Sequence, residues 1–100
     1  MRTLVYAKRA KTDLSDLRRD STEQWGVERT RRYMADISRR ARALRQTPLM
    51  GRAREEIGEG ARSIVSGRHV IFYEVHPEII LVTAVVHGSM DLEARLSGDT

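Results

Sequence analysis

Apolar positions along this chain obey two rules in turn. Through the first half they recur every three or four residues, and near the end they fall on consecutive positions. Ala7, Ala10, Leu14 and Leu17 make one stripe, which predicts a helix over residues 8–25. The start of that helix is poorly signalled. No Ser, Thr, Asp or Asn precedes it, and Lys8 and Arg9 oppose the positive end of the helix dipole. A later start, capped by Thr12 or Asp13, is therefore also expected. Gly26 suits a helix stop, because glycine accepts the left-handed conformation that helix ends use. Val27, Thr30, Met34, Ile37, Ala41 and Leu44 then predict a second helix over 27–46, with a seam against a partner element. Pro48 ends it. Glu28, Arg32, Asp36 and Arg40 stand four apart with alternating sign, the spacing of helix-stabilising ion pairs.

The second rule governs the strands. Residues 3–7, TLVYA, read as a short first strand. Residues 47–60 are rich in Gly and charge and read as a loop. Residues 61–65 predict a strand, and Ser66-Gly67 a two-residue hairpin turn. Residues 68–76 and 79–87 predict two more strands, joined at Pro77-Glu78. Both carry apolar residues on successive positions, so each is expected to be central and covered on both faces. The fold expected is α+β. An antiparallel β-sheet packs on an N-terminal αα-hairpin, in the order β-α-α-β-β-β with a short C-terminal helix or tail. One domain is expected over 1–100: strand plus helix hairpin at 1–46, three-stranded sheet at 61–88, tail at 89–100.

Composition narrows the classes. A chain of 100 residues has room for one core. It has no cysteine, which excludes disulfides and thiolate chemistry and suits a reducing compartment. The basic N-terminus lacks a secretory pattern, and the longest apolar run, IILVTAVV, falls short of the ~20 residues of a membrane span. A cytoplasmic protein with no membrane association is expected. The formal charge is +4, and its placement matters more than its size. Arg29, Arg31, Arg32, Arg39, Arg40, Arg42, Arg45, Arg52 and Arg54 cluster in one segment. Such a stripe attracts phosphates or an acidic protein, or else is a solvated face held by its own ion pairs.

Candidate chemistry is sparse. His87 and Asp91 stand at the end of the last strand, where a His near an Asp can act in acid–base catalysis. The alternative is that His87 bonds a nearby carbonyl and closes the strand. His69 and His76 lie in the same hairpin, but the spacing is not that of metal ligands, so no metal and no cofactor are expected. Trp25 is expected to lock the helix hairpin, and Phe72 and Tyr73 to point to opposite faces of one strand. No Gly-rich phosphate loop and no serine-nucleophile motif occurs.

The string Trp25-Gly26, Pro48-x-x-Gly51, Gly60-x-Arg62, Ser66-Gly67-x-His69-x-x-Phe72-Tyr73 and Val86-His87-Gly88-x-Met90-Asp91 resembles the ParE branch of the RelE/ParE toxin superfamily. The likeness runs from Ala10 to Asp91. It implies a toxin of a bacterial toxin–antitoxin pair, silenced by a ParD-like antitoxin that alone contacts DNA, and poisoning DNA gyrase without catalysis. RelE-like relatives instead cleave messenger RNA on the ribosome, commonly with an Arg just inside the third strand. This sequence has Val70 there, which neither stabilises charge nor moves a proton. A third possibility is a nucleic-acid-binding module that uses the Arg-rich helix directly.

The resemblance also implies where contacts fall. ParE-like tails often read His-Gly-Arg-Met-Asp, and here Ser89 takes the Arg position. The tail then supplies the target contact, through Ser89, Met90, Asp91 and Arg95, with His87 ordering the turn before it. An antitoxin tail that folds on binding needs apolar contacts and charge pairs. Leu14, Leu17, Arg32, Arg39 and Arg40 are expected near it.

Overall fold

The computed structural model describes residues 1–90. Strand β1 (Thr3–Tyr6) runs directly into helix α1 (Lys8–Trp25), and helix α2 (Val27–Ala43) follows. Then come β2 (Arg52–Ala53), β3 (Ala61–Ser66), β4 (His69–Val75) and β5 (Ile79–His87), ending in a 3-10 turn, Gly88–Met90. The sheet order is β1-β5-β4-β3-β2. The α+β class holds, with two helices against one sheet.

The sheet is mixed rather than antiparallel. β1 pairs parallel to β5, with Thr3 opposite Ile79 and Tyr6 opposite Val82. The connection between these neighbours runs through both helices and strands β2 to β4, far longer than a parallel pair needs. Segment 47–60, read as a loop, holds the edge strand β2, paired at Arg52–Ser63 and Ala53–Arg62. Two apolar-poor residues give no periodic signal, so that strand is invisible in sequence. β4 and β5 are central, as their continuous apolar runs required.

Helix α1 begins at Lys8, not at Thr12 or Asp13. Ala7 is its N-cap and makes no side-chain cap bond. The start is set by the sheet instead: the Ala7 amide donates to the Val82 carbonyl at 2.9 Å, and Ala10 is fully buried one turn later. Gly26, at φ 86°, ends α1 and opens α2 in one residue. The seam holds at Thr30, Ile37 and Ala41 of α2 and at Leu44 just after it, but Val27, at the first position of the helix, is exposed. The helix stops at Ala43, and Leu44 belongs to the turn after it. The four-apart ion-pair ladder does not form. Arg31 pairs with Glu28 and Arg39 with Asp36, both three apart and at 2.7 Å. Arg40 turns to the sheet, donating Nε and Nη2 to the Val65 carbonyl at 3.2 and 3.0 Å. Beyond β2 that edge of β3 has no neighbour strand among the described residues, and the guanidinium caps it there.

The hairpin turn is Gly67-Arg68, one residue later than read, because Ser66 pairs with His69. Gly67 sits at φ 59°, and a Cβ there would lie 2.6 Å from the Tyr33 ring, so a side chain at position 67 is strained on both counts.

A bulge divides β5. Phe72 faces Ala84 and Tyr73 faces Val82, which leaves Thr83 as an extra residue. Before it, Ile80 and Val82 join the helix-side core with Ile37, Ala41, Leu44, Ile64, Ile71 and Tyr73. After it, Val85 stays on that side, while Ala84 joins Val70 and Phe72 on the opposite face with Ile57 and Val86. Where β1 has turned away, the Val85 amide is received by Asp13 Oδ2 at 2.9 Å.

Candidate functional site at the tip of the central strands

The two central strands end side by side. His69 opens β4, His87 closes β5, and the two are direct cross-strand partners. Their rings meet edge to face with centroids 5.3 Å apart. The pairing sets this, since residues far apart in sequence face each other across an antiparallel ladder.

The surroundings fix each imidazole differently. Tyr33, on α2, brings its hydroxyl to 2.6 Å from His69 Nδ1 and receives the Arg68 amide at 2.9 Å. The Tyr33 ring also lies edge-on to Trp25 at 5.7 Å, and the Arg29 guanidinium sits over that indole at 4.8 Å. Trp25 thus ties the helix hairpin to the strand tip. His69 is nearly buried, and burial pushes its pKa below the ordinary histidine value, with the neighbouring His87 adding to the effect. His87 is exposed. Its Nδ1 accepts the Ser89 amide at 3.1 Å and lies 2.8 Å from Ser89 Oγ, so its partner is the turn two residues on and not a carbonyl. His87 is therefore bonded within the 3-10 turn that follows β5.

The remaining expected residues do not form one patch. Leu14 and Leu17 are half-buried against the helix-side core. Leu14 also lines a shallow cleft with Tyr6, Lys11, Ser15 and Arg18. Arg32 and Arg39 are exposed on α2, while Arg40 is committed to β3. Ser89 is exposed beside His87, and Met90 ends the turn. Asp91 and Arg95 lie outside the described residues, as does the expected short helix at 92–96.

The face away from the helices has its own construction. Val70, Phe72 and Ala84 form its buried floor. Arg54, 1 % exposed, lies over the Phe72 ring at 4.9 Å and bonds Ser63 Oγ and Glu56, both at 2.8 Å. That hydrogen bond holds the Glu56 carboxyl below the usual carboxylate range. An arginine in a charged, Gly-rich segment reads as solvated, so sequence reasoning missed it; its only signal is the nearby Glu56. The same segment is locked from the other side. Tyr73, fully buried, donates its hydroxyl to the Pro48 carbonyl at 2.7 Å and receives the Gly51 amide at 2.9 Å. Among the described residues, no cluster of three or more His, Cys, Asp or Glu could hold a metal, and no helix is long and apolar enough to cross a membrane.

The model of the ParE toxin of the type II toxin–antitoxin system parDE matches residues 4–92. The chain belongs to the ParE toxin family. It is similar to Toxin ParE1 of Caulobacter vibrioides, 33% identical over 96 residues, which covers 96% of this chain and 99% of that one. Among solved structures, a chain from the chromosomal ParDE system of P. aeruginosa superposes with a TM-score of 0.75 at 19% identity, covering 87% of this chain and 96% of that one. A chain of the RelBE2 toxin–antitoxin complex of Mycobacterium tuberculosis gives 0.65 at 22%, covering 86% and 96%. These two show the shared fold. The ParE family places this chain among the toxins of type II toxin–antitoxin systems.

Proposed function

We propose that this ParE-family toxin acts by gripping DNA gyrase rather than by cutting RNA, and that a ParD-like antitoxin neutralises it. The observation that carries the reading is the character of the sheet face away from the helices. Val70 takes the position where RelE-like ribonucleases carry a cationic side chain, and it is buried beside Phe72 and Ala84. Arg54, which lies over the Phe72 ring, is held by Glu56 and Ser63. A preorganised charge contact is worth about 10²–10³ in rate, and an aliphatic floor supplies none. An apolar face with a polar rim is instead the composition of a protein contact.

The two structural relatives come from toxin–antitoxin assemblies, which supports an antitoxin partner. Its contacts are assigned to the exposed Arg32 and Arg39 on α2, with Leu14 offering an apolar patch and Arg40 and Leu17 lying close behind. The target contact is assigned to the tail, beginning at Ser89 and Met90 and continuing through Asp91 and Arg95. A second reading, a ribosome-dependent mRNA endonuclease, draws on one observation, the imidazole pair His69–His87.

Purified toxin added to gyrase should block supercoiling, and the antitoxin should restore it. Removing residues 90–100 should abolish growth arrest while leaving antitoxin binding largely intact. Cleavage of ribosome-bound transcripts that changes with substitution at Val70 would overturn the gyrase reading in favour of the second.

A further inference from the structure

We propose that the cleft beside the histidine pair binds a phosphorylated nucleoside, with the phosphate on Arg68 and His87 and the base toward Trp25. The cleft lies on the helix side of the sheet, opposite the Val70 floor, and the inference is independent of the gyrase reading.

Three elements build it. Helix α1 contributes Leu17, Asp20, Gln24 and Trp25, the β3–β4 turn contributes Arg68 and His69, and β5 contributes His87. The space is about 340 Å³, within the roughly 300–1,000 Å³ range of small-ligand pockets. Each histidine is held by one nitrogen only. His69 Nδ1 meets Tyr33, and His87 Nδ1 takes the Ser89 amide. An Nδ1 that accepts leaves the proton of a neutral ring on Nε2, so His87 Nε2 is a donor that the turn does not consume. Among the described residues neither Nε2 has a protein partner, and neither is sealed away unsatisfied.

Arg68 completes the donor set. Its backbone is pinned by Tyr33, its side chain is exposed, and no acid among the described residues pairs with it. A guanidinium fork and an imidazole N–H are the groups that suit phosphate oxygens. The acid at the rim, Asp20, is already paired with Arg19 at 3.3 Å, and Arg29 stands over Trp25. The field around the cleft is therefore basic. The flat indole beside the donors favours a ligand with a ring over a bare anion.

Trp25 is the only tryptophan in the chain, so its emission reports on this cleft alone. Uridine and adenosine monophosphates, the free nucleosides, inorganic phosphate and a short oligonucleotide with a terminal phosphate should be titrated against the full chain, by Trp25 emission and by calorimetry. The monophosphate should saturate and bind about tenfold or more tighter than either nucleoside or phosphate. Tighter binding of the oligonucleotide marks a strand end as the ligand; equal binding marks the free nucleotide. Arg68→Ala and His87→Gln should each weaken binding about tenfold, and Arg68→Lys should retain most of it. Because His87→Gln also disturbs the turn, the imidazole resonances of His69 and His87 in the unaltered protein should move on adding the monophosphate. Monophosphate binding no tighter than phosphate, unmoved imidazoles, or an Arg68→Ala protein that binds normally would each overturn the proposal.

Discussion

The two faces of the sheet share the same strands and are finished by different means. On the helix side, Ile64, Ile71, Tyr73, Ile80, Val82 and Val85 meet two helices through Ala10, Ile37 and Ala41. On the other side, Val70, Phe72 and Ala84 are covered by part-buried Ile57 and Val86 and by one arginine from a connecting segment. A helix brings a whole apolar stripe, whereas a segment of Gly, Glu and Arg brings single groups. Adjacent residues of β4 thus enter different cores: Ile71 and Tyr73 pack under the helices, and Val70 and Phe72 pack on the opposite face.

The difference can be broken by experiment. Ile71→Ala, on the helix side, should cost about 2–5 kcal/mol, because the cavity is walled by two helices and cannot collapse. Val70→Ala, one residue earlier on the other face, should cost only about 1.5 kcal/mol, the loss of two buried methyl groups. Urea unfolding of both proteins measures this, and equal losses would mean that the faces are equally packed. Next in size, Gly67→Ala should cost about 1–2 kcal/mol from the left-handed backbone alone, and more from contact with the Tyr33 ring. Tyr33→Phe should cost about 1 kcal/mol, since it removes the oxygen that receives the Arg68 amide and meets His69.

The smallest effect is a pH dependence confined to the tip of the helix side. The folded pKa of His69 lies below its unfolded value, so the unfolded chain binds the proton more readily. The stability that neutral His69 confers is present above the unfolded value of about 6.5 and declines as pH falls toward the folded one. Denaturation midpoints measured between pH 7.5 and 5.5 should drop, and in a His69→Gln protein the slope should flatten.

Much of this arrangement was legible in the residues. The period of three to four placed α1 and α2 within a few residues, and Gly26 marked the corner between them. The continuous run in β5 announced a central strand. Other features were hidden for physical reasons. Parallel pairing of β1 leaves no trace in four residues, because both pairing senses favour the same side chains. The bulge at Thr83 is silent, since in a run of Ile, Leu, Val and Ala either phase looks apolar. Leu14 and Leu17, expected near a partner, are half-buried and pack against the helix-side core, a role their helical spacing also predicts. At the tip, the approach of His69 to His87 followed from antiparallel pairing, but Tyr33 and Trp25 converge on it from helices whose orientation no local pattern specifies. Segment 47–60 was the poorest reading, because its order comes from Tyr73, Arg54 and Arg62 reaching across the fold.

The surplus residue at Thr83 makes residue counting a poor ruler for this strand. Sequences lined up against this one without a one-position gap there will compare inward side chains with outward ones from Ala84 to His87. A relative of equal length that ran through this stretch without the bulge would carry its histidine on the other surface, so the motif could match letter for letter while the imidazole looked the opposite way.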